Sequence, residues 1–383
     1  MRLGIDASNV CSGGGIIHLQ KILEQAEPKK HLINRVVLWG GDTPLDNLPD
    51  KPWLELRKIP NLNLQTSQRL FWQQTKLGKL AHEDCDILFV PGGLYLGGFS
   101  PYVTMFQNMQ IFESKERIRE GFGKEWLRLS LLKWAQSRTF RKASGLICLS
   151  EYSHNYLTQH HSFVIDQTPV QLIPHGTEKV KNEHILSDIK RNPINGTIRL
   201  LYVSTVKKYK HQWNLIDAVG LLRKEGISVE LHLVGGGDSQ ALKIMWDAIH
   251  RNKSEKNFIF YHGSLPYEQT LEWYHKADIF VFPSTCENLP VILLEAMTAG
   301  LPIVSSDRGP MPEVLKDAGL YFNPESVTSI KNCLQYMIEK PDLMQSLGSK
   351  AKKYSEDYSW KKCADETFAF LSSVYEKTKH EQD

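Results

Sequence analysis

The chain has 383 residues, of which 41% are hydrophobic and 23% are charged, and its formal net charge is +3. This length favours two domains over a single core, and the composition is that of an ordinary globular protein. The weak positive charge argues against a dedicated nucleic-acid binder, whose binding face is usually strongly basic. The six cysteines form neither a CxxC pair nor a cluster with histidine at zinc spacing, which fits the reducing cytosol better than a disulfide scaffold.

Secretion and membrane insertion are also disfavoured. The N-terminal MRLGIDASN has an acid at its sixth residue and no apolar stretch, unlike a signal peptide. No run reaches the roughly 18 apolar residues that a membrane span requires. We therefore expect a protein of the cytoplasm or of the inner membrane surface.

The first half of the chain alternates short apolar runs with longer amphipathic ones. Short runs bounded by Gly, Pro, Asp or Ser predict buried parallel strands, here RLGIDA, RVVLWG, DILFVPG, YVTMF, GLICLS and VQLIPHG. After the first run, SGGG leads into the helical pattern IIHLQKILEQ. Gly14 and Gly15 allow unusual backbone angles, and the amides at a helix start can face an anion. A plain strand–helix turn explains the glycines equally well, and the GxGxxG pattern of nicotinamide enzymes is missing.

The segment 111–142 is basic and aromatic, with nine Lys/Arg, four Glu and two Trp. Amphipathic segments of this composition can lie on anionic membranes. An ordinary exposed helix pair with long basic side chains is an equally good interpretation.

A polar, weakly periodic stretch divides the chain. We place a linker at 179–197, an N-terminal domain at 1–178 and a C-terminal domain at 198–355. The last segment, 356–383, predicts an amphipathic helix that packs back toward the N-terminal domain.

The second half repeats the alternation. Its predicted strands are IRLLYVST, VELHLVGGG, FIFYHG, DIFVFPS, PIVSSD and LYF, and its predicted helices are QWNLIDAVGLLRKEG, QALKIMWDAIHRN and YEQTLEWYHKA. Such alternation in both halves predicts an α/β protein with two doubly wound, Rossmann-like sheets. Ligands of such sheets bind outside the carboxyl ends of the strands, so the residues after each strand are the candidates.

Two of these strand ends carry polar candidates. Lys207, Lys208 and Lys210 follow YVST and could meet a diphosphate, although clustered lysines often form a solvated turn. His262 and Gly263 follow FIFY in a turn of a kind that is more often structural.

The stretch CENLPVILLEAMTAG, after DIFVFPS, holds two acids among small and aliphatic residues. Pro290 suits the first position of a helix, which places Glu287 in the preceding loop and Glu295 one and a half turns into the helix. A carboxylate at Glu295 could accept hydrogen bonds from the vicinal hydroxyls of a ribose. Glu295 could instead form a structural salt bridge and Glu287 could be a solvated loop acid, but their joint placement favours a site.

The longer stretch FPSTCENLPVILLEAMTAGLPIVSSDRGPMPEVLKDAGLYFNP closely resembles the E-x(7)-E region of glycosyltransferase family 4. Members of that family are retaining, nucleotide-sugar-dependent transferases of the GT-B fold. ICLSEYS, LIPHGTE and LHLVGGG agree more weakly, so the resemblance covers most of the chain. It implies two Rossmann-like domains facing across a cleft, with acceptor binding at 1–178 and donor binding at 198–355.

The resemblance also implies roles for residues of the C-terminal domain. Glu295 would hold the ribose of the nucleotide, and Glu287 would contact the donor sugar. The amides of Asn288 and Leu289 would face the sugar or the phosphates, and Lys210 falls at the family's diphosphate lysine.

Further roles follow for two backbone segments. Gly14 and Gly15 fall where the family's N-terminal loop meets the donor. Backbone groups around His262 and Gly263 would read the base.

Two positions depart from the family pattern. Thr205 stands where the family usually has an arginine, so either Lys207 or Lys208 supplies the missing charge or the donor phosphates are held more loosely. Gln107 stands where many members have a histidine near the reacting centre. A glutamine cannot act as a base, but it can hydrogen-bond a sugar hydroxyl.

The implied enzyme is a hexosyltransferase of the EC 2.4 class. It would move a hexose-type sugar with retention from a UDP- or GDP-type donor, without a bound metal or other cofactor. The acceptor would be a glycan or lipid-linked glycan in surface polysaccharide, lipopolysaccharide or O-antigen assembly, which the basic segment 111–142 would suit as a peripheral membrane contact. Two alternatives stay open: a nucleotide-sugar isomerase of the GT-B fold, and a catalytically silent nucleotide-sugar-binding protein.

Overall fold

The chain divides into two compact units in a computed structural model that describes residues 1–10, 13–178, 196–254 and 257–381. Unit 1 comprises Met1–Gly176 and Ser359–Asp383, and unit 2 comprises Thr177–Tyr358. Most of the linker predicted at 179–197 lies outside the described residues.

Unit 1 contains a parallel sheet of seven strands in the order β3-β2-β1-β4-β5-β6-β7. The strands are β1 Arg2–Asp6, β2 Arg35–Gly40, β3 Leu54–Lys58, β4 Ile87–Val90, β5 Tyr102–Phe106, β6 Gly145–Cys148 and β7 Val170–Leu172. Six of them confirm the strands predicted in this half. Strand β3, an edge strand with the sequence LELRK that is mostly half-buried, was not predicted.

The helices of unit 1 follow its strands along the chain. They are α1 Gly14–Gln25, α2 Asp42–Leu45, α3 Thr66–Trp72, α4 Gly78–Asp84, α5 Ser114–Arg119, α6 Lys124–Lys142, α7 Glu151–His160 and α8 Ser162–Gln167. A π-helical turn, Gln73–Leu77, joins α3 to α4. The segment 111–142, predicted as a helix pair or a membrane-facing amphipathic stretch, forms α5 and α6.

Unit 2 contains a parallel sheet of six strands in the order β10-β9-β8-β11-β12-β13. The strands are β8 Ile198–Val203, β9 Val229–Val234, β10 Ile259–Tyr261, β11 Ile279–Phe282, β12 Ile303–Ser306 and β13 Leu320–Phe322. All six were predicted. The chain order reverses between β8 and β11, which makes the ends of these two strands the switch point of the sheet.

The helices of unit 2 are α9 Gln212–Lys224, α10 Ser239–Arg251, α11 Tyr267–Lys276, α12 Val291–Thr298, α13 Met311–Leu315, α14 Val327–Ile338 and α15 Pro341–Ser355. The last helix of the chain, α16 Trp360–His380, belongs to unit 1 and packs against α1. None of the helices in the described ranges combines the length and the apolar composition that crossing a membrane requires.

The cores of both units lie around their central strands. Strands β4, β5, β6, β11 and β12 are buried along their whole length, because parallel strands are covered by helices on both faces. The edge strands β3, β7, β10 and β13 are mostly half-buried. The predicted fold class, an α/β protein with two Rossmann-like doubly wound sheets, is confirmed.

Candidate active site

An ion pair lies at the switch point of the unit 2 sheet. Lys210 follows β8 and Glu287 follows β11, and the Lys210 ammonium donates to Glu287 Oε1. Their side chains are only 7% and 14% exposed. Because β8 and β11 are neighbours in the sheet, two residues that are 77 positions apart in the chain meet at this edge.

The Lys210 ammonium is also placed by aromatic rings. It lies 5.1 Å from the ring centre of Tyr209 and 5.6 Å from that of Phe282, distances at which a cation is attracted to a ring face. The Tyr202 hydroxyl donates to the Lys210 carbonyl at 3.0 Å. These contacts hold the ammonium at the strand ends rather than in solvent.

Backbone hydrogen bonds connect the two loops that carry the pair. The Thr285 amide donates to the Tyr209 carbonyl at 2.8 Å, and the Thr285 hydroxyl lies 3.1 Å from the same oxygen. The Thr285 hydroxyl also lies 3.3 Å from His211 Nε2. His211 has a left-handed backbone (φ 52°) and ends the loop just before α9. These hydrogen bonds hold together the two loops that carry Lys210 and Glu287.

Asn288 and Leu289 follow Glu287 and are buried. Helix α12 begins at Val291, one residue later than predicted, so Pro290 precedes the helix. The turn after β12 comes close to this loop: a Cβ added at Gly309 would lie 3.8 Å from the Glu287 carbonyl oxygen. Three strand ends thus contribute to the surroundings of Glu287.

Thr205 lies in the loop between β8 and α9, and its side chain is exposed. Its carbonyl accepts a hydrogen bond from Gln212 Nε2 at 3.1 Å. The Lys207 ammonium lies 3.6 Å from Asp238 Oδ2, and both of these side chains are largely exposed. The Thr205 side chain is therefore open to solvent, with lysines close by in the chain.

Glu295 lies on α12 and is held by two tyrosines of α11. The Tyr274 hydroxyl donates to Glu295 Oε2 at 2.9 Å, and the Tyr267 hydroxyl donates to Oε1 at 3.2 Å. Burial raises the pKa of Glu295 to about 7, with a smaller raising effect from the nearby Glu178 carboxylate, while the two tyrosine hydrogen bonds lower it. The salt bridge considered for Glu295 is replaced by a pair of phenol donors.

A cavity of about 260 Å³ opens beside Glu295. Helices α11 and α12 line it with Tyr267, Tyr274 and Thr298, and Glu178 lies on its rim. The cavity presents a carboxylate next to apolar and hydroxyl groups, which suits a ligand with hydroxyl donors.

His262 packs in an aromatic cluster at the edge of the unit 2 sheet. Its Nε2 lies 3.1 Å from His232 Nδ1, and its ring lies 4.3 Å from the ring of Trp273. Burial lowers the pKa of His262, and burial together with the neighbouring His262 lowers the pKa of His232 to about 4. Both imidazoles are therefore neutral at pH 7.

Two backbone groups of the predicted base-reading segment are already hydrogen-bonded. The His262 amide donates to the Leu233 carbonyl at 2.9 Å, and the Gly263 carbonyl accepts from the Gly235 amide at 2.7 Å. Gly263 has φ 67° and no atom within 4 Å of where a Cβ would be, so its turn faces open space.

The predicted site residues of unit 1 lie together at the start of α1. Gly14 and Gly15 open the helix, and Gly13 before it has φ 61°. A Cβ added at Gly15 would lie 3.8 Å from Gln107 Oε1, so the glycine loop and the residue after β5 are neighbours. The part that these residues were predicted to play in donor binding stays a prediction.

Tyr267 and Tyr274 were not among the predicted site residues. Their spacing of i and i+7 within YEQTLEWYHKA places both on one face of α11, which is a signal for packing against a neighbouring helix. Nothing in the spacing indicates that the partner would be a carboxylate.

Comparison with known proteins bears first on unit 2. Residues 186–354 match the family model "Glycosyl transferases group 1", which is less than half of the chain. "O-antigen chain mannosyltransferase B" of Escherichia coli is 28% identical over 167 residues, 44% of this chain and 44% of that protein. The alignment thus spans less than half of this curated relative. The family match and the named relatives support a glycosyltransferase enzyme.

Solved structures match almost the whole chain. A sucrose-phosphate synthase from Thermosynechococcus elongatus has a TM-score of 0.77 at 16% identity, covering 98% of this chain and 100% of that chain. Anabaena HepE in complex with UDP and glucose has a TM-score of 0.67 at 18% identity, covering 97% and 99%. Likeness at this identity establishes the fold, the two-domain α/β GT-B class, and no more.

Proposed function

We propose that the chain is a retaining glycosyltransferase of family 4, which moves a hexose-type sugar from a nucleoside-diphosphate sugar to a glycan or lipid-linked glycan. The observation that carries this proposal is the Lys210–Glu287 pair at the switch point of the unit 2 sheet. Doubly wound sheets bind nucleotides at that edge, and the pair brings a cation for phosphate and an acid for sugar hydroxyls to one place.

The roles follow from where charge develops during transfer. The anomeric carbon becomes positive and the departing phosphate becomes negative, so catalysis needs cations and amide dipoles near the phosphate. In the proposal, Lys210 and the amides of Asn288 and Leu289 supply them, and no metal is needed. Glu287 orients the donor sugar. The acceptor oxygen bonds to the anomeric carbon on the face from which the nucleoside diphosphate departs, and the departing phosphate accepts the proton of the acceptor hydroxyl. Attack on that face retains the anomeric configuration.

Glu295 holds the ribose in this proposal. Each carboxylate oxygen can accept more than one hydrogen bond, so the contacts from Tyr267 and Tyr274 leave acceptor capacity for ribose hydroxyls. Base recognition then falls to the carbonyl of His262 and the amide of Gly263, because the other backbone groups of these residues are used within the unit.

The donor and acceptor classes draw on the relatives. UDP and glucose, named for Anabaena HepE, favour a UDP-type donor over a GDP-type one. The E. coli relative, an O-antigen chain mannosyltransferase, favours a hexose and O-antigen or related surface polysaccharide assembly. We propose that this work takes place in the cytoplasm at the inner face of the membrane.

Helix α6 supports the membrane contact. Leu127, Leu131 and Trp134 on this helix, with Phe122 just before it, are 55% to 82% exposed. The same helix carries seven of its nineteen residues as charged groups, five of them basic outside its first turn. Apolar side chains that face solvent among basic ones fit a membrane with anionic phospholipids.

Flotation of the full chain with vesicles tests this contact. We expect binding to phosphatidylcholine vesicles that contain phosphatidylglycerol and loss of that binding in Leu131→Ser/Trp134→Ser. Leu221→Ser, an exposed leucine of unit 2, is the matched control. Equal flotation of all three proteins, or none by wild type, contradicts the membrane contact.

The donor proposal is tested first by thermal stabilisation with UDP, GDP, ADP and dTDP and their common sugars. A ligand that binds the native state raises its melting temperature by mass action. We expect one nucleotide series to stand out and its shift to shrink in Glu295→Ala. No shift with any nucleotide or nucleotide sugar would contradict the donor site itself. A shift without product formation would instead favour the silent-binder alternative, which Thr205 and Gln107 motivate.

Product analysis then separates the remaining alternatives. Transfer to an acceptor that is lost in Glu287→Ala supports the transferase, whereas epimer formation without an acceptor indicates the isomerase. An inverted product, or full dependence on manganese, contradicts the proposed mechanism.

A further inference from the structure

A second cavity, of about 720 Å³, lies in unit 1, whereas the nucleotide-sugar site is proposed for unit 2. It is bounded by the start of α5, the middle of α6 and one side of α7. Its polar lining includes Lys115, Lys133, Tyr152, Asn155, His160 and His161. A volume of this size is in the range of small-molecule sites. We call it the basic pocket.

The basic pocket has an excess of positive charge. Glu113 is the one carboxylate in its lining, and it already accepts a hydrogen bond from the Tyr152 hydroxyl at 2.7 Å. Glu116, on the adjoining helix, is paired with Arg119 at 2.8 Å. Within the described residues, the local acids are thus committed to other partners, while two lysines and two histidines face the cavity.

Burial and the excess of positive charge both disfavour the charged form of Lys133. It is half-buried on α6, and its pKa is lowered by burial and by the nearby Arg117. Burial and the charge of Lys133 also lower the pKa of His161. Arg117 donates to the backbone carbonyl of Ile111 rather than to a carboxylate. Partly desolvated cations that repel one another are costly unless an anion joins them.

The remaining lining suits an oxygen-rich ligand. Asn155 and Gln159 offer amides, and Ser114 offers a hydroxyl. Tyr156 turns its hydroxyl to the Phe112 carbonyl at 2.9 Å, which leaves its ring as a wall. Lysines recognise phosphate as point charges, and amides and hydroxyls complete its hydrogen bonds.

We propose that the basic pocket binds the phosphate group of an organic phosphate mono- or diester. This site is separate from the nucleotide-sugar site proposed for unit 2 and does not depend on it. The same chemistry is offered by a phospholipid or lipid-linked headgroup and by a soluble phosphate ester. Lys133 lies on α6 between the exposed Leu131 and Trp134, so a headgroup held here would belong to the surface that those two side chains present.

The test measures binding of glycerol phosphate to the full chain by calorimetry at neutral pH. Lys133→Gln should weaken binding about tenfold, which corresponds to about 1.4 kcal/mol. His160→Gln, which changes an exposed side chain and leaves the fold intact, should weaken it by a smaller factor. Lys124→Gln removes the same charge from α6 outside the pocket and should match wild type. The proposal is overturned if wild type binds neither glycerol phosphate nor phosphatidylglycerol vesicles, or if all four proteins bind equally.

Vesicles distinguish the two sources of phosphate. If flotation with phosphatidylglycerol vesicles falls in Lys133→Gln and not in Lys124→Gln, the ligand is a membrane headgroup. If only glycerol phosphate binding falls, the ligand is a soluble ester. The UDP-induced thermal shift should be the same in Lys133→Gln and wild type, so failure of the nucleotide site would be seen separately from failure of the basic pocket.

Discussion

Replacing Glu295 with glutamine removes a carboxyl group whose pKa is raised from 4.5 to about 7 by burial. The folded protein therefore binds this proton more tightly than the unfolded chain does. As pH rises from about 4.5 to about 7, the unfolded chain loses its proton first, and the free energy of unfolding falls. Above about pH 7, Glu295 is ionised in both states, and wild type carries the full destabilisation from its burial.

The size of the effect follows from the shift. Each pKa unit corresponds to about 1.4 kcal/mol, so ionised Glu295 destabilises unit 2 by about 2 to 3 kcal/mol, allowing for its partial exposure. Glutamine has the same shape and no charge to desolvate. The stability of Glu295→Gln relative to wild type should rise by about 2 kcal/mol between about pH 5 and about pH 8. For a unit of this size, that is roughly 4 to 8 °C in melting temperature.

Thermal and denaturant unfolding across this pH range measure the difference. Glu268→Gln is the matched control, because Glu268 lines the same cavity and is exposed. Its melting temperature should follow wild type at every pH. A stability difference between Glu295→Gln and wild type that stays constant with pH would refute the assignment of a buried, proton-binding carboxyl to Glu295.

Three further substitutions test the support of the site. Lys210→Gln leaves the mostly buried Glu287 carboxylate without its cation, so we expect the free energy of unfolding to fall by about 3 to 5 kcal/mol. The nucleotide-induced thermal shift should be lost as well. Gly235→Ala places a Cβ 2.2 Å from the Ser204 carbonyl oxygen at φ 133°, so the cost of this overlap adds to a backbone strain of about 1 to 3 kcal/mol. Gly263→Ala, at φ 67° in open space, has no overlap and should cost only about 1 kcal/mol. Equal melting temperatures for the two alanine variants would contradict the close approach at Gly235.

The strands could be predicted because buried parallel strands are apolar on both faces. DILFVPG and DIFVFPS have no other reasonable place in an α/β protein than a buried strand. The edge strand LELRK was missed because only one neighbour and part of one face bury it, so its polar residues hide the pattern. The apolar stretches of the sequence do not indicate the order of the strands within each sheet, and that order decides which loops are neighbours.

The sequence predicted that the candidate site residues lie at strand ends, but it did not predict which of them contact one another. Glu287 and Lys210 were placed at strand ends by the alternation of elements. Their ion pair depends on β8 and β11 being neighbours, which is a long-range pairing that no local pattern encodes. The tyrosine partners of Glu295 depend in the same way on α11 packing beside α12.

The ion pair constrains how a diphosphate could be held. Lys210 and Glu287 together carry no net charge, so a donor phosphate must share the Lys210 ammonium with a carboxylate that is already bound to it. Thr205 adds no cation, and Lys207 has only a long, exposed contact with Asp238 at 3.6 Å. Exposed pairs of that kind contribute little energy, so Lys207 can leave Asp238 for a stronger acceptor at small cost. If the chain binds a nucleoside diphosphate as proposed, we therefore expect Lys207, in the same loop as the buried Lys210, to supply the second cation.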